Sequence, residues 1–321
     1  MKLTAMSGTN LNFTPLALGT ADFGSTISEE LSFRIMDRFV EGGGNWIDTA
    51  RVYADWVPGG HGKSEITVGN WLRKSGIRKR VLISTKGAHP NLSTMNVSRL
   101  TCQDIRYDVE ESLNSLSVDK IDLYWLHRDD VSKPVSDIIN TLNTLVKDGK
   151  IRLFGCSNWL PSRIREAAEY AESNGLHTFV ASQIQWSLAD INEDAVSDPT
   201  TVAMDKAGLE FYKETGLTVF AFTSQAKGFF QKLHAGGMKS LKDAVKDTYN
   251  NEVNRGRMER VVEVSKELNI SISSVVLGYL TSQPFPVVPV IGSRSLEQVE
   301  EALEVLGVSL SPEQVDYLEH G

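Results

Sequence analysis

The sequence predicts an α/β fold of the closed (β/α)8, or TIM barrel, type. Three observations carry that expectation. Short apolar runs alternate with longer helical patterns, the rhythm of a parallel sheet with crossover helices. That rhythm yields eight strand candidates, more than an open doubly wound sheet of this length usually holds. The 321 residues also contain no low-complexity tract or linker to divide them, so residues 1–321 are expected to form a single domain.

The elements follow in order, each strand an apolar run and each helix the amphipathic stretch after it. Strand one is expected at 16–19, with a helix near 28–42. Strand two, 46–48, leads to a helix near 64–74. Strand three, 81–86, leads to a long helix over 98–116. Strand four, 121–127, leads to a helix at 135–147. Strand five is 151–157, and Pro161 opens its helix, to about 173, at the first-turn position that suits proline. Strand six, 180–183, leads to a helix near 202–215. Strand seven is 217–222 and strand eight 287–291, with a helix over 296–306. The stretch 223–285 is too long for one connection. It is expected to hold a loop at 224–237, placed to act as a lid, and two extra helices, one ending near 268 and one over 271–280. A small hairpin within 1–13 and a last helix at 312–318, after the N-cap-like Ser311, complete the chain.

Composition is that of an ordinary globular protein, 41% apolar and 23% charged. The formal charge of −8 argues against a nucleic-acid surface but leaves room for a local basic pocket. Two widely spaced cysteines, Cys102 and Cys156, suit a reducing compartment and give no zinc-like spacing. Without a signal-peptide core or a run of membrane-span length, the expected location is cytoplasmic.

Two glycine motifs fail on inspection. Residues 59–64, Gly-Gly-His-Gly-Lys-Ser, resemble part of a phosphate loop, but Val57 stands where the pattern needs glycine. Gly42, Gly43 and Gly44 follow a helix and precede a strand, the reverse of a dinucleotide loop. Any nicotinamide must bind without a Rossmann turn.

Barrel chemistry gathers at the C-terminal ends of the strands. Here those ends carry Asp48, with Tyr53 in the loop beyond, then Lys86 and His127. Strand alternation puts Trp46, Ser84 and Trp125 on the same faces. Each polar residue alone has a plainer reading: a cap, a packed ring, a solvated end, a core histidine. Four of them on successive strands at one mouth point to a site.

Residues 43–53, Gly-Gly-Asn-Trp-Ile-Asp-Thr-Ala-Arg-Val-Tyr, closely resemble the first signature of the aldo-keto reductase superfamily. Lys86 in Ile-Ser-Thr-Lys and His127 in Leu-Tyr-Trp-Leu-His match its other catalytic positions. Residues 149–158, Gly-Lys-Ile-Arg-Leu-Phe-Gly-Cys-Ser-Asn, are similar to its central signature. The resemblance runs from about 16 to 306.

It implies an NADP(H)-dependent oxidoreductase that reduces an aldehyde or ketone, sugar-like or aryl, to an alcohol, with NAD also possible. By resemblance Tyr53 is the proton donor, Lys86 its tuner, Asp48 the partner of Lys86, and His127 the residue that orients the carbonyl. Ser157, Asn158 and Gln183 correspond to carboxamide contacts, Thr20 and Ala21 to the nicotinamide ribose, and Phe222 to the stacking ring. Ser224, Gln225, Ala226 and Lys227 replace the pyrophosphate loop. Ser293, Arg294, Gln298 and Glu301 fall in the adenosine-phosphate clamp, where the helix start favours an anion. The sequence departs from the family pattern at Phe222, commonly tyrosine, at Ala302, usually asparagine, and at Gly292, a lysine in some branches. Trp56, Trp159 and Trp186 are candidates to line the substrate mouth. Two other readings stay open: a non-catalytic nicotinamide-binding regulator, and a barrel aldolase or isomerase using Lys86 as a Schiff-base nucleophile.

Overall fold

The computed structural model describes residues 3–6, 9, 11–195 and 198–321. It opens with a small antiparallel hairpin, β1 (Thr4–Ala5) and β2 (Asn12–Phe13). Then come β3 (Ala17–Gly19), α1 (Glu29–Glu41), β4 (Trp46–Asp48), α2 (Lys63–Ser75), β5 (Leu82–Gly87), α3 (Cys102–Leu116) and β6 (Ile121–Leu126). Next are α4 (Val135–Lys147), β7 (Ile151–Ser157), α5 (Pro161–Ser173), β8 (Ala181–Gln185), α6 (Lys206–Thr215) and β9 (Thr218–Phe222). The last part holds α7 (Phe229–Gly236), α8 (Asp243–Tyr249), α9 (Glu252–Leu268), α10 (Ile272–Thr281), β10 (Val287–Gly292), α11 (Leu296–Leu303) and α12 (Pro312–His320).

Among the described residues, eight strands close a parallel barrel in the order β10-β3-β4-β5-β6-β7-β8-β9. Register aligns the strand ends that matter. Gly19 pairs with Asp48, Asp48 with Ser84, and Lys86 with Trp125. The barrel interior is filled by side chains and is no pore. Phe220 packs against Trp46 and Trp125, with ring centroids 4.9 and 5.0 Å away. Phe13, from the hairpin, closes the floor against Trp46 at 5.1 Å. Gly155 makes room for this packing: a Cβ there would stand 2.5 Å from the Trp125 ring. The outer helices bury apolar stripes against the other face of the sheet, as Ile35, Met36 and Phe39 of α1 do.

Most helices begin where a side chain can take an orphan N–H. Ser28, Thr101, Asp205, Asn251, Ser271, Ser295 and Ser311 all do so. Three expectations need correction. The helix expected from 202 starts at Lys206, because residues 202–204 run extended beside β8: the Val202 N–H goes to Asn158 Oδ1, and Ala203 bridges to Gln185. The long helix expected from 98 starts at Cys102, because Thr101 caps it and Arg99 turns away to Asp108. The stretch 224–237 is not a plain loop: it folds into a 3-10 turn, Ala226–Gly228, and then α7, and α8 was not expected at all. Of the rejected glycine motifs, Gly62 at φ 68° simply turns the chain into α2. Among the described residues no helix is long and apolar enough to cross a membrane.

Candidate active site

β4, β5 and β6, with the loop after β4 that carries Tyr53, bring Asp48, Tyr53, Lys86 and His127 to one mouth. Asp48 is fully buried, and its carboxylate is a hub. Oδ1 accepts from the Ser84 hydroxyl at 2.6 Å and the Trp125 indole at 3.1 Å, with the Gln183 amide at 3.4 Å; Oδ2 accepts from Lys86 Nζ at 2.5 Å. The Trp46 indole donates to Ser84 in turn, at 2.8 Å. The inward-facing partners expected from strand alternation are thus the ones that hold the carboxylate.

Lys86 Nζ donates to three acceptors: Asp48 Oδ2, the Thr49 carbonyl at 2.9 Å and Tyr53 Oη at 2.9 Å. Burial works against its charge. The Asp48 carboxylate and then Tyr53 outweigh that and raise the Lys86 pKa above its ordinary value. An ammonium with all three protons engaged has no lone pair for a Schiff base, so the nucleophile reading of Lys86 has no support here. The arrangement can stabilise negative charge on Tyr53 Oη as a proton leaves it.

His127 follows β6, its ring edge-on to Tyr53 at 6.0 Å. Burial first, then the nearby Arg128, His89 and Lys86, hold its pKa well below the ordinary imidazole value. The ring is therefore neutral in the folded protein at neutral pH, which suits a hydrogen-bond donor to a carbonyl. It also predicts a stability effect. The unfolded chain binds a proton on this ring below about pH 6.5 and the folded chain does not. The contribution is complete above about pH 6.5 and is lost as pH falls through the depressed folded pKa. Denaturant unfolding of wild type and His127→Gln between about pH 7 and about pH 5 reads it. The wild type should lose up to about 1.4 kcal/mol per pH unit more than the variant; parallel losses would contradict it.

The remaining sequence candidates divide. Ser157, Asn158 and Gln183 lie buried at the ends of β7 and β8. Asn158, in a left-handed turn at φ 60°, is already engaged: its amide donates to the His127 carbonyl and Ser157 Oγ. Thr20 is fully buried and knits β3 to its neighbours through the Asp48 carbonyl and Ser64; Ala21, beside it, is half-buried. Phe222 ends β9, half-buried. Ser224 donates to the Val290 carbonyl, and Gln225 accepts from Gln231. Ala226 and Lys227 both adopt positive φ. Ser293 is buried beside the exposed Arg294, which pairs with Asp22 at 2.5 Å. Gln298 folds back onto the Arg294 N–H at 2.8 Å, and Glu301 lies one turn further along α11. Among the three tryptophans, Trp56 is 50% exposed and stands edge-on to Tyr53 at 6.1 Å. Trp159 packs on Phe179 and Trp186 on Phe285, so those two are core.

Sequence reading missed Asp108, His89 and Lys232. Asp108, on α3, receives Arg51 at 3.0 Å, Arg99 at 2.8 Å and the Ala88 N–H at 2.8 Å. It thereby fixes the turn that carries His89. No local pattern marks a carboxylate whose partners come from three other segments. A cavity of about 680 Å³ lies at the opposite end of the barrel among Phe154, Phe179 and Leu217, and none of Asp48, Tyr53, Lys86 and His127 lines it.

The C-terminal mouth of this closed parallel barrel thus holds a phenol, an ammonium, a carboxylate and a neutral imidazole. Residues 15–320 match the Aldo/keto reductase family, and the chain belongs to that family. It is similar to an uncharacterised oxidoreductase, YrpG, of Bacillus subtilis, at 28% identity over 98% of this chain and 93% of that one. It is also similar to an aryl-alcohol dehydrogenase [NADP(+)] of Phanerodontia chrysosporium, at 28% identity over 97% and 83% of the two chains. A norsolorinic acid reductase of Emericella nidulans shares 28% identity over 96% of this chain and 78% of its own length. Among solved structures, a thermostable aldo-keto reductase in complex with the inhibitor epalrestat superposes with a TM-score of 0.74. It shares 22% identity, with 99% of each chain covered, a likeness of fold.

Proposed function

We propose that this chain is an NADP(H)-dependent carbonyl reductase of one domain, acting on a small aldehyde or ketone in a cytoplasmic setting, with Tyr53 as the proton donor. The observation that carries the reading is the buried chain of hydrogen bonds from Asp48 through Lys86 to Tyr53 Oη, opening beside the neutral ring of His127.

The residues present fit a dinucleotide phosphate. In a chain of net charge −8, Lys232, Lys242 and Arg294 collect at the β9 and β10 side of the mouth. Burial, then repulsion from Lys242 and Arg294, lowers the Lys232 pKa below its ordinary value. Like charges gathered this way favour an anion between them. Ser157, Asn158 and Gln183 would hold the carboxamide, Phe222 the nicotinamide face, and Thr20 and Ala21 the ribose. Ser224, Gln225, Ala226 and Lys227 would hold the pyrophosphate, and Ser293, Arg294, Gln298 and Glu301 the adenosine phosphate. When bound, the cofactor supplies hydride to the carbonyl carbon. His127 orients the carbonyl oxygen, Tyr53 gives it a proton, and Lys86 stabilises the charge left on Tyr53 Oη. Asp48 keeps the ammonium in place. In the reverse direction Tyr53 takes the proton back.

The test is NADPH and NADH oxidation against a panel of aliphatic, hydroxylated and aryl aldehydes and ketones. Turnover of at least one carbonyl with NADPH supports the reading. Binding of NADPH without turnover of any would favour a non-catalytic nicotinamide-binding protein.

Arg294 should govern the choice of cofactor. Its planar fork can give a 2′-phosphate two parallel bonds, and its present partner Asp22 follows β3, the strand next to β10 in the barrel. Arg294→Ala should weaken NADPH about tenfold and leave NADH nearly unchanged, because an exposed charged bond works at the lower end of its range. Fluorescence titration of both cofactors checks this; equal losses for the two would remove the assignment.

A further inference from the structure

The ring of His127 is aimed by its backbone. An imidazole is commonly oriented by a bond at one of its ring nitrogens. Among the described residues the buried Nδ1 of His127 has no hydrogen-bond partner. The direction of the ring must therefore come from its peptide and its packing. The His127 N–H donates to the Gly87 carbonyl at 2.9 Å, and the His127 carbonyl accepts twice, from Arg128 Nη1 at 2.8 Å and from Asn158 Nδ2 at 3.2 Å. The Trp159 indole holds the next peptide, donating to the Arg128 carbonyl at 3.2 Å.

Both donors to that carbonyl lead to one stretch of chain. The Arg128 side chain is 12% exposed; its Nε donates to Thr200 Oγ1 at 2.7 Å and its Nη2 to Asp198 Oδ2 at 2.9 Å. Thr200 closes the ring by donating its hydroxyl to Asp198 Oδ1 at 2.5 Å. Asn158 Oδ1 takes the Val202 N–H at 3.0 Å. Val202 and Met204 in turn bond the backbone of Gln185, the last residue of β8. The segment 198–204, just before α6, thus grips the His127 peptide by two routes, one through a guanidinium after β6 and one through an amide after β7.

We propose that Arg128 is a positioning residue for the reduction: through Asp198 and Thr200 it ties the His127 peptide to the segment 198–204, which must be in place for the imidazole to meet the carbonyl. This rests on the carbonyl-reductase reading. Arg128 acts through His127, whose aim decides whether the carbonyl oxygen lies where Tyr53 can reach it. Asn158, which would hold the carboxamide, is tied to the same segment. Cofactor and carbonyl are thereby registered to one another by a stretch of chain that carries no reacting group.

The experiment measures kcat per NADPH-binding site, counted by fluorescence titration, with the best carbonyl of the panel. It compares the wild type, Arg128→Ala, Arg128→Lys and Asp198→Asn. Arg128→Ala should fold, because Asp198 keeps its Thr200 donors and is 33% exposed, so its charge is not stranded. Its kcat should fall about 10–10²-fold, the scale of a misplaced reacting group. Asp198→Asn should lose rate in the same direction but less, since Arg128 keeps Thr200 and the His127 carbonyl. A second readout separates positioning from mere support of the fold. After burial, Arg128 is the strongest influence holding the His127 pKa down, ahead of His89 and Lys86, with Tyr53 edge-on to the ring. NMR titration of 15N-labelled histidines, with His127→Gln for assignment, should show that pKa rise in Arg128→Ala. It should stay put in Arg128→Lys, which keeps the charge and recovers part of the rate but lacks the planar fork. An unchanged kcat in Arg128→Ala, or a lowered one with the His127 pKa unmoved, overturns the inference while the carbonyl-reductase reading stands. Asp198→Asn at the wild-type rate overturns the link to the segment. A wild type that reduces no carbonyl overturns the reading and the inference together.

Discussion

Tyr53→Phe is expected to fold and bind cofactor like the wild type and to lose about 10²–10⁴-fold in kcat. The substitution removes one oxygen and little else. The ring keeps its neighbours Trp56 and His127, and Lys86 keeps two of its three acceptors, Asp48 and the Thr49 carbonyl. What disappears is the group proposed to give the proton as the carbonyl oxygen gains charge. The loss belongs in kcat because that proton moves only during the chemical step. Steady-state kinetics on the best carbonyl of the panel, with cofactor titration as control, reads it out. A variant with half the wild-type rate would show that Tyr53 is not the acid.

Lys86→Met should strike both turnover and stability. Asp48 would keep its hydroxyl and indole donors from Ser84 and Trp125, but it would be a buried carboxylate with no cation. Breaking one side of a buried ion pair costs about 3–5 kcal/mol. Turnover should fall as severely as in Tyr53→Phe, because nothing then stabilises charge on Tyr53 Oη. Adding Asp48→Asn to Lys86→Met separates the two effects. The double variant should regain much of the lost stability, since a neutral amide needs no counter-ion, and remain inactive. Urea unfolding of the three proteins checks this; a single variant as stable as wild type would mean that the pair carries no such burden.

Much of this was legible in the sequence, for a physical reason. In a barrel the strand ends converge, so Asp48, Lys86 and His127 could be brought together from periodicity alone. What escaped depends on bonds between distant segments. Asn158 reaches across to Val202 and holds residues 202–204 extended, where their local pattern reads as helix. Asp108 gathers Arg51, Arg99 and Ala88, and so sets a left-handed alanine that no propensity would suggest. Aromatic residues mislead in the same way. Trp159 and Trp186, like Trp56, follow the C-terminal end of a barrel strand, yet packing with Phe179 and Phe285 assigns them to the core. After β9 the helices α9 and α10 were legible, but α7 escaped because it begins at a glycine, Gly228, without a side-chain cap.

The Asp48 hub bears on any attempt to transplant this chemistry. Its carboxylate is gripped by Ser84 and Trp125 as well as Lys86, and Trp46 steadies Ser84 from the next strand. The Trp125 indole in turn occupies the space left by Gly155. Grafting the phenol, ammonium, carboxylate and imidazole onto a foreign eight-stranded scaffold would import a buried negative charge without its donors. The transferable unit is larger: the four side chains at the mouth, two indoles, one hydroxyl and one missing methyl group, spread over four adjacent strands.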